Sequence, residues 1–297
     1  TLSSSSAASD VYKRQSKGTT GNMEGVAFNT RARKMVHFVS ERPPKPKLPT
    51  QAQAAKLPRW IEASKREVQK LQEEDTFLPL EMDEKGRRMY PSNPIMMDLL
   101  PKLEYKWKKD PSTTDSEEGW LECVRLVADG SVDKRKDQFS YAETPDRSVM
   151  FLMSSIEATL QYQSRNSDAV RAYLNAPSID RNLIVRIPSW VPGLPREVLL
   201  NKGLYGSVKG ALSWQVWIDD KLQRLGYTKC DIARSVYMQQ GTGPGETVRI
   251  LRHSDDFRIS CMDPAKLERE CKTFGETVRM TDFCLLYTSP SPRDGLL

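Results

Sequence analysis

Four stretches of the chain repeat hydrophobic residues every three or four positions, which is the pattern of amphipathic helices. They span residues 58–76, 148–160, 211–225 and 265–274. Gly226 follows the third stretch and favours a helix C-cap there. The stripes are typical of faces packed against a core, and they comprise Ile61, Val68 and Leu71; Val149, Leu152, Met153, Ile156 and Leu160; Trp214, Trp217, Ile218, Leu222 and Leu225; and Leu267, Cys271 and Phe274.

Short runs of branched and aromatic residues lie between these stretches and predict β-strands. The runs are 103–109, 120–128, 183–187, 235–238, 248–251 and 257–262. Helices and strands therefore alternate irregularly along the chain. This order indicates an α+β fold, with an antiparallel sheet and helices packed on one of its faces.

A polar tip, Arg252–Asp256, separates the last two predicted strands. The adjacent carboxylates of Asp255 and Asp256 repel each other unless water or a divalent cation lies between them. Oxygen ligands from few carboxylates suit Mg²⁺. A solvated turn explains the same residues, because aspartate is common in turns and Asp219–Asp220 forms another adjacent pair. Taken alone, this stretch favours the solvated turn.

Composition excludes several classes of protein. The 297 residues include 45 basic and 39 acidic side chains, a net charge of +6, which permits an anionic partner. Mean hydropathy is −0.59, and no apolar run approaches the ~20 residues of a membrane span. The five cysteines are scattered and the chain has two histidines. A disulfide framework, a zinc site or a histidine triad is therefore not expected, and a reducing intracellular setting fits.

Both ends of the chain resemble translated sequencing adapters. These segments, 1–15 and 284–297, are set apart from the fold, and we expect the natural protein to continue beyond both. Residues 16–57 are basic and proline-rich, a composition typical of a disordered linker. The opening residues lack the basic and apolar segments of a secretory signal.

Six short blocks occur in the order and spacing of one protein family, although each block alone is weak. They are Arg59–Ala63 with Glu73–Thr76, Tyr105–Asp110, Arg125–Gly130, Asp168–Asn175, Leu204–Gly206 with Trp214, and the Asp255–Asp256 pair. Through these blocks the chain, from about Pro58 to Phe283, resembles the reverse transcriptase of copia-type LTR retrotransposons. The last block stands where that family has Tyr-Val-Asp-Asp.

The resemblance implies the fingers and an incomplete palm of a right-hand polymerase, with fingers at 58–130 and palm at 131–283. The activity implied is that of an RNA-directed DNA polymerase, a nucleotidyltransferase. By resemblance, Asp168, Asp255 and Asp256 are the catalytic carboxylates and the metal ligands, with Asp168 and Asp255 holding both ions and Asp256 as the third carboxylate. They would hold two Mg²⁺ ions ~4 Å apart, for which Mn²⁺ is a possible substitute.

The resemblance also assigns nucleotide-binding residues. Tyr173 takes the place of the aromatic ring that blocks a ribose 2′-hydroxyl, while Lys108 and Arg125 fall where the fingers grip the triphosphate. Lys209 stands where the family has a glutamine that contacts the sugar. The implied partners are an RNA or DNA template-primer, deoxynucleoside triphosphates, and a polyprotein with integrase upstream and ribonuclease H downstream. The implied location is a cytoplasmic particle, with nuclear access for its product.

The chain departs from the family pattern at three places. His253–Ser254 replaces Tyr-Val, Lys209 replaces the glutamine, and residues 162–167 are more polar than a central palm strand should be. The family's closing palm strands, thumb and ribonuclease H are not in this sequence, so we expect it to be inactive as it stands. An alternative class is a non-catalytic nucleic-acid-binding remnant of a decayed or domesticated retroelement. A third, an unrelated α+β binding module, requires accidental matches.

Overall fold

The structure is a computed structural model. It describes residues 26–29, 34–37, 43–109, 118–133, 143–243 and 245–285. Segments 1–15 and 286–297, nearly all of the sequence predicted to be foreign, lie outside these ranges. The chain divides into two compact units, Thr1–Lys47 and Leu48–Leu297.

The four predicted amphipathic helices are confirmed, with small shifts at their ends. In chain order the elements are β1 (Val26–Asn29), β2 (Lys34–His37), α1 (Gln51–Ala54), α2 (Pro58–Glu73), β3 (Phe77–Leu78), β4 (Ile95–Lys109), β5 (Glu118–Ala128), a 3-10 turn (Gly130–Val132), α3 (Arg147–Thr159), β6 (Gln163–Asp168), α4 (Ala172–Asn175), β7 (Leu183–Arg186), β8 (Glu197–Leu200), α5 (Gly210–Arg224), β9 (Thr228–Lys229), β10 (Val236–Gln239), β11 (Val248–His253), β12 (Asp256–Cys261), α6 (Pro264–Thr277) and β13 (Cys284–Leu285).

Regular structure occurs inside the predicted linker 16–57. In the first unit, β1 and β2 pair antiparallel. In the second unit, α1 begins with a capping box. The Thr50 hydroxyl accepts the Gln53 N–H, and the Gln53 amide oxygen accepts the Thr50 N–H. A Thr-x-x-Gln pattern thus starts a short helix at the end of the proline-rich stretch, where the sequence predicted only a linker.

The second unit contains a five-stranded sheet of order β3-β8-β7-β4-β5. β4 and β5 form its longest antiparallel ladder, and β4 also runs parallel to β7. Trp60 of α2 packs edge-on against Tyr105 of β4, with ring centroids 5.2 Å apart. Since β7 and β8 follow residue 130 in sequence, the five-stranded sheet crosses the predicted fingers–palm boundary at that residue.

A six-stranded antiparallel sheet of order β13-β6-β12-β11-β10-β9 holds the polar tip. Successive side chains of a strand face opposite sides. Ile250 and Phe257 face α5 and α6, and they share a core with Trp214. Leu251 faces the other side and packs near Met153 of α3. The α+β class is confirmed, but the expectation of helices on one face only is wrong.

Helix α3 covers its face of the sheet with mixed side chains. Met153 is buried, and Glu157, only 3% exposed, forms an ion pair with Arg258 of β12. Leu152 and Leu160, which the sequence assigned to the core, are 60% and 44% exposed. The stripe prediction is wrong at these two positions because the strand beneath α3 carries a charged side chain, and its partner carboxylate takes the buried side.

The polar strand β6 finds partners on both of its edges. It pairs with β12 on one side and with β13 on the other. The Ser167 hydroxyl donates to the Thr281 carbonyl at 2.6 Å, and the Asp168 N–H donates to Thr281 Oγ1 at 2.9 Å. These bonds satisfy the polar groups that would otherwise disfavour such a strand. β13 falls within the segment 284–297 that the sequence set apart as foreign.

Candidate active site

Within the polar tip, Ser254 and Asp255 form a two-residue turn between β11 and β12, with His253 paired to Asp256. Ser254 has φ of +61°, a conformation that two-residue hairpins require and non-glycine residues adopt rarely. Its carbonyl accepts two hydrogen bonds, from Trp214 Nε1 at 2.9 Å and from Arg252 Nη1 at 3.1 Å. These hydrogen bonds hold the turn against the core, whereas a freely solvated turn would make its hydrogen bonds to water.

Arg252 is a fully buried cation that sequence analysis missed. Its side chain is 0% exposed, and besides the Ser254 carbonyl it contacts the amide oxygen of Gln215 and the backbone carbonyl of Glu143. A buried charge is costly unless hydrogen bonds compensate it. Its signal was present in the sequence, since Arg252 follows Val248 and Ile250 at alternate positions, on the face of β11 that packs against the core.

Asp168 lies directly across the sheet from Asp256. Paired residues on neighbouring antiparallel strands have Cα atoms about 5 Å apart. The next residue, Ala169, donates its N–H to the Asp255 carbonyl at 2.8 Å. Pairing therefore brings the three predicted carboxylates to one end of the sheet, although 87 positions separate Asp168 from Asp255 along the chain.

The short distance between Asp168 and Asp256 changes the pKa of Asp256. A hydrogen bond from Asp256 to Asp168, followed by burial and by the charges of Asp168 and Asp255, raises the pKa of Asp256 to about 6. His253, whose Nδ1 lies 4.0 Å from an Asp256 oxygen, acts in the opposite direction. Carboxylates held this close favour sharing a proton or a cation.

The donor set suits Mg²⁺ in part. Asp168 and Asp256 offer hard oxygen ligands, and Mg²⁺ is commonly held by one or two carboxylates together with water and substrate phosphates. Within the described ranges, however, no three His, Cys, Asp or Glu side chains are grouped so that they could hold one metal ion. The pKa of Tyr205 is raised first by burial and then by the negative charge of Asp255.

Two of the predicted nucleotide-binding residues, Tyr173 and Arg125, both contact Tyr205, a residue to which the sequence analysis gave no role. Tyr173 contacts Tyr205 edge-to-face, with ring centroids 4.3 Å apart and an interplanar angle of 79°. The Arg125 guanidinium carbon lies 5.7 Å from the centroid of the same Tyr205 ring. Tyr205 belongs to the Leu-Tyr-Gly block, so the block itself was its available signal.

The other two predicted residues lie elsewhere. Arg125 pairs with Lys102 on β4, whereas the backbone of Lys108 pairs with Gly119, about 20 Å further along the ladder. The Lys108 side chain lies outside what the structure describes. The Lys209 ammonium is 3.9 Å from a carboxylate oxygen of Asp180. The structure thus does not bring Lys108 together with Arg125, and it gives Lys209 an acidic neighbour.

No protein-family model matches this chain, and a search of curated proteins finds no match. Among the helices that the structure describes, none has both the length and the apolar character needed to cross a membrane.

Proposed function

We propose that the chain is the fingers and part of the palm of an RNA-directed DNA polymerase from a copia-type retroelement polyprotein. The observation that carries the proposal is the pairing of Asp168 with Asp256, beside a turn that bears Asp255. A carboxylate pair on adjacent strands, with a third one residue away, offers oxygen ligands of the kind that divalent cations in two-metal sites use.

In the proposed reaction a primer 3′-hydroxyl attacks the α-phosphate of a deoxynucleoside triphosphate. One phosphorus–oxygen bond forms, the bond to the β-phosphate breaks, pyrophosphate leaves, and the hydroxyl proton passes to solvent. Mg²⁺, or Mn²⁺, would supply Lewis-acid stabilisation of the attacking and leaving oxygens. Asp168, Asp256 and Asp255 would hold the ions, the first two from neighbouring strands and the third from the turn.

The residues around Tyr205 would bind the incoming nucleotide. The Tyr173 ring would occupy the space beneath C2′ and exclude a 2′-hydroxyl. Arg125 would donate paired hydrogen bonds to the triphosphate, as a planar guanidinium does to phosphate oxygens. The surplus of basic residues would serve contacts with the template-primer backbone. Integrase and ribonuclease H as neighbouring segments, and a cytoplasmic particle as location, belong to the same proposal.

Primer extension tests the catalytic proposal. The chain, extended by the downstream sequence of its own transcript, is incubated with poly(rA)·oligo(dT), dTTP and Mg²⁺. We expect extension by the wild type and a loss of at least about 100-fold in Asp255→Asn, because electrostatic stabilisation of the transition state disappears. Asp231→Asn, an exposed aspartate outside the site, is the matched control and should retain activity. Equal extension by both variants, or none by the wild type, would refute a catalytic role.

A second candidate is a non-catalytic nucleic-acid-binding remnant. Two observations favour it: the described residues contain no three-ligand metal group, and the Lys209 ammonium lies 3.9 Å from an Asp180 carboxylate oxygen. The same assay separates the candidates. Salt-dependent binding of the template-primer without extension would support the remnant.

A further inference from the structure

Tyr205 lies on the loop that joins β8 to α5, next to two residues of the candidate site. Its half-buried ring meets the Tyr173 ring edge-on on one side and the Arg125 guanidinium on another. Edge-to-face aromatic pairs hold a preferred geometry that two aliphatic side chains would not. The position of the Tyr173 ring therefore depends on the ring beside it.

The backbone of this loop is held on both sides. The Ala128 N–H donates to the Tyr205 carbonyl at 2.7 Å. Gly206 has φ of +87°, and a Cβ there would overlap the Ala128 carbonyl oxygen. On the other side, a Cβ on Gly203 would lie 2.7 Å from the Tyr173 carbonyl oxygen. The loop is thus clamped between the end of β5 and the short helix that carries Tyr173.

Charge around the ring supports the same arrangement. Burial first, and then the Asp255 carboxylate, raises the pKa of Tyr205 to about 12, so its hydroxyl stays protonated at neutral pH. Arg125 acts against this shift. The neutral ring therefore lies within electrostatic range of an acid on the hairpin turn and of a base on the long β4–β5 ladder.

We propose that Tyr205 is a positioning residue for sugar selection, whose ring fixes Tyr173 beneath the sugar and Arg125 beside the phosphates. This inference rests on the proposed function and adds to it the residue that sets discrimination between deoxyribonucleotides and ribonucleotides. The ring itself does not touch the sugar. Without it, Tyr173 gains alternative rotamers and no longer excludes a 2′-hydroxyl consistently.

Nucleotide binding to the whole 297-residue chain tests this inference without requiring catalysis. Isothermal titration calorimetry with Mg²⁺ gives the ratio of dissociation constants for ATP and dATP. We expect the wild type to prefer dATP, and Tyr205→Leu to reduce that preference by roughly tenfold, the upper value for one aromatic pair. Tyr205→Phe keeps the ring and should keep the preference. Tyr173→Ala should lose it as well.

The possible results distinguish a failure of the Tyr205 role from a failure of the polymerase proposal. A wild type that prefers dATP, with an unchanged ratio in Tyr205→Leu, would overturn the role of Tyr205 and leave the polymerase proposal standing. A wild type that binds neither nucleotide, or both equally, would overturn both. If thermal melting shows that Tyr205→Leu does not fold, Tyr205→Met provides a ringless side chain of similar volume for the same comparison.

Discussion

Replacing Trp214 by alanine is expected to lower the free energy of unfolding by about 3–5 kcal/mol, the usual cost of removing a large buried aromatic side chain. Trp214 is 0% exposed, stacks on Trp217 at 5.4 Å and meets Phe257 edge-on at 6.4 Å. It also donates a hydrogen bond to the Ser254 carbonyl. Its loss opens a cavity and releases the turn that carries Asp255.

Two matched variants separate the contribution of the hydrogen bond to the free energy of unfolding from that of aromatic packing. Trp214→Phe keeps most of the packing but removes the hydrogen bond, so we expect a loss of about 1–2 kcal/mol. Trp217→Ala removes the stacked, partly buried neighbour, which makes no such bond to the turn. Urea denaturation of the four proteins measures the differences. A Trp214→Ala variant no less stable than Trp217→Ala would contradict the account of how the turn is held.

Gly206→Ala is expected to destabilise the chain by about 2–5 kcal/mol. A β-carbon at a positive φ costs roughly 1–2 kcal/mol by itself, and forcing atoms into a packed site adds about 1–3 kcal/mol. At Gly206 both apply, because φ is +87° and the new carbon would overlap the Ala128 carbonyl oxygen. The backbone of β5 or of the Tyr205 loop must then shift.

Gly86 provides the control for the conformational part. It has φ of +73°, and a Cβ there would meet nothing within 4 Å. Gly86→Ala should therefore show the positive-φ cost without the steric overlap, and lose only about 1–2 kcal/mol. Thermal and urea unfolding give both values. If the two alanine variants lose the same stability, the close approach of the Tyr205 loop to β5 is not part of the folded state.

Local patterns in the sequence predict the elements well. The stripe of α5 places Trp214, Ile218 and Leu222 in the core, and all three are fully buried. The hairpin 248–262 is predicted from its two runs and its polar tip, and the structure confirms both strands with the turn at Ser254–Asp255. Periodicity and turn chemistry are properties of neighbouring residues, so they can be read directly from the chain.

Pairing between distant segments could not be read in the same way. Nothing near β4 indicates that its first residues run parallel to β7. The polar composition of β6 even argues against a strand, because the partners that satisfy it, such as Thr281, come from more than a hundred residues later. Likewise, the charged face under α3 arises only when Arg258 meets Glu157.

In the candidate site, too, local features could be predicted from the sequence and the contacts between distant residues could not. The adjacent pair Asp255–Asp256 is visible in the sequence, and the family resemblance links it to Asp168, but the position of Asp168 opposite Asp256 comes only from the strand register. Family resemblance pointed to Tyr173 and Arg125 but not to Tyr205, which connects them. Lys108 and Lys209 remain predictions of the resemblance.

We propose that Asp168 and the hairpin carboxylates Asp255 and Asp256 share a divalent cation. Electron paramagnetic resonance of Mn²⁺ titrated into the whole chain at pH 7.5 measures this directly. We expect binding that weakens as pH falls through about 6, because protonated Asp256 no longer coordinates. Asp168→Asn should weaken it by about tenfold or more, since losing even an outer-shell partner has that effect. Identical Mn²⁺ affinity in wild type, Asp168→Asn and the control Asp231→Asn would contradict a shared site.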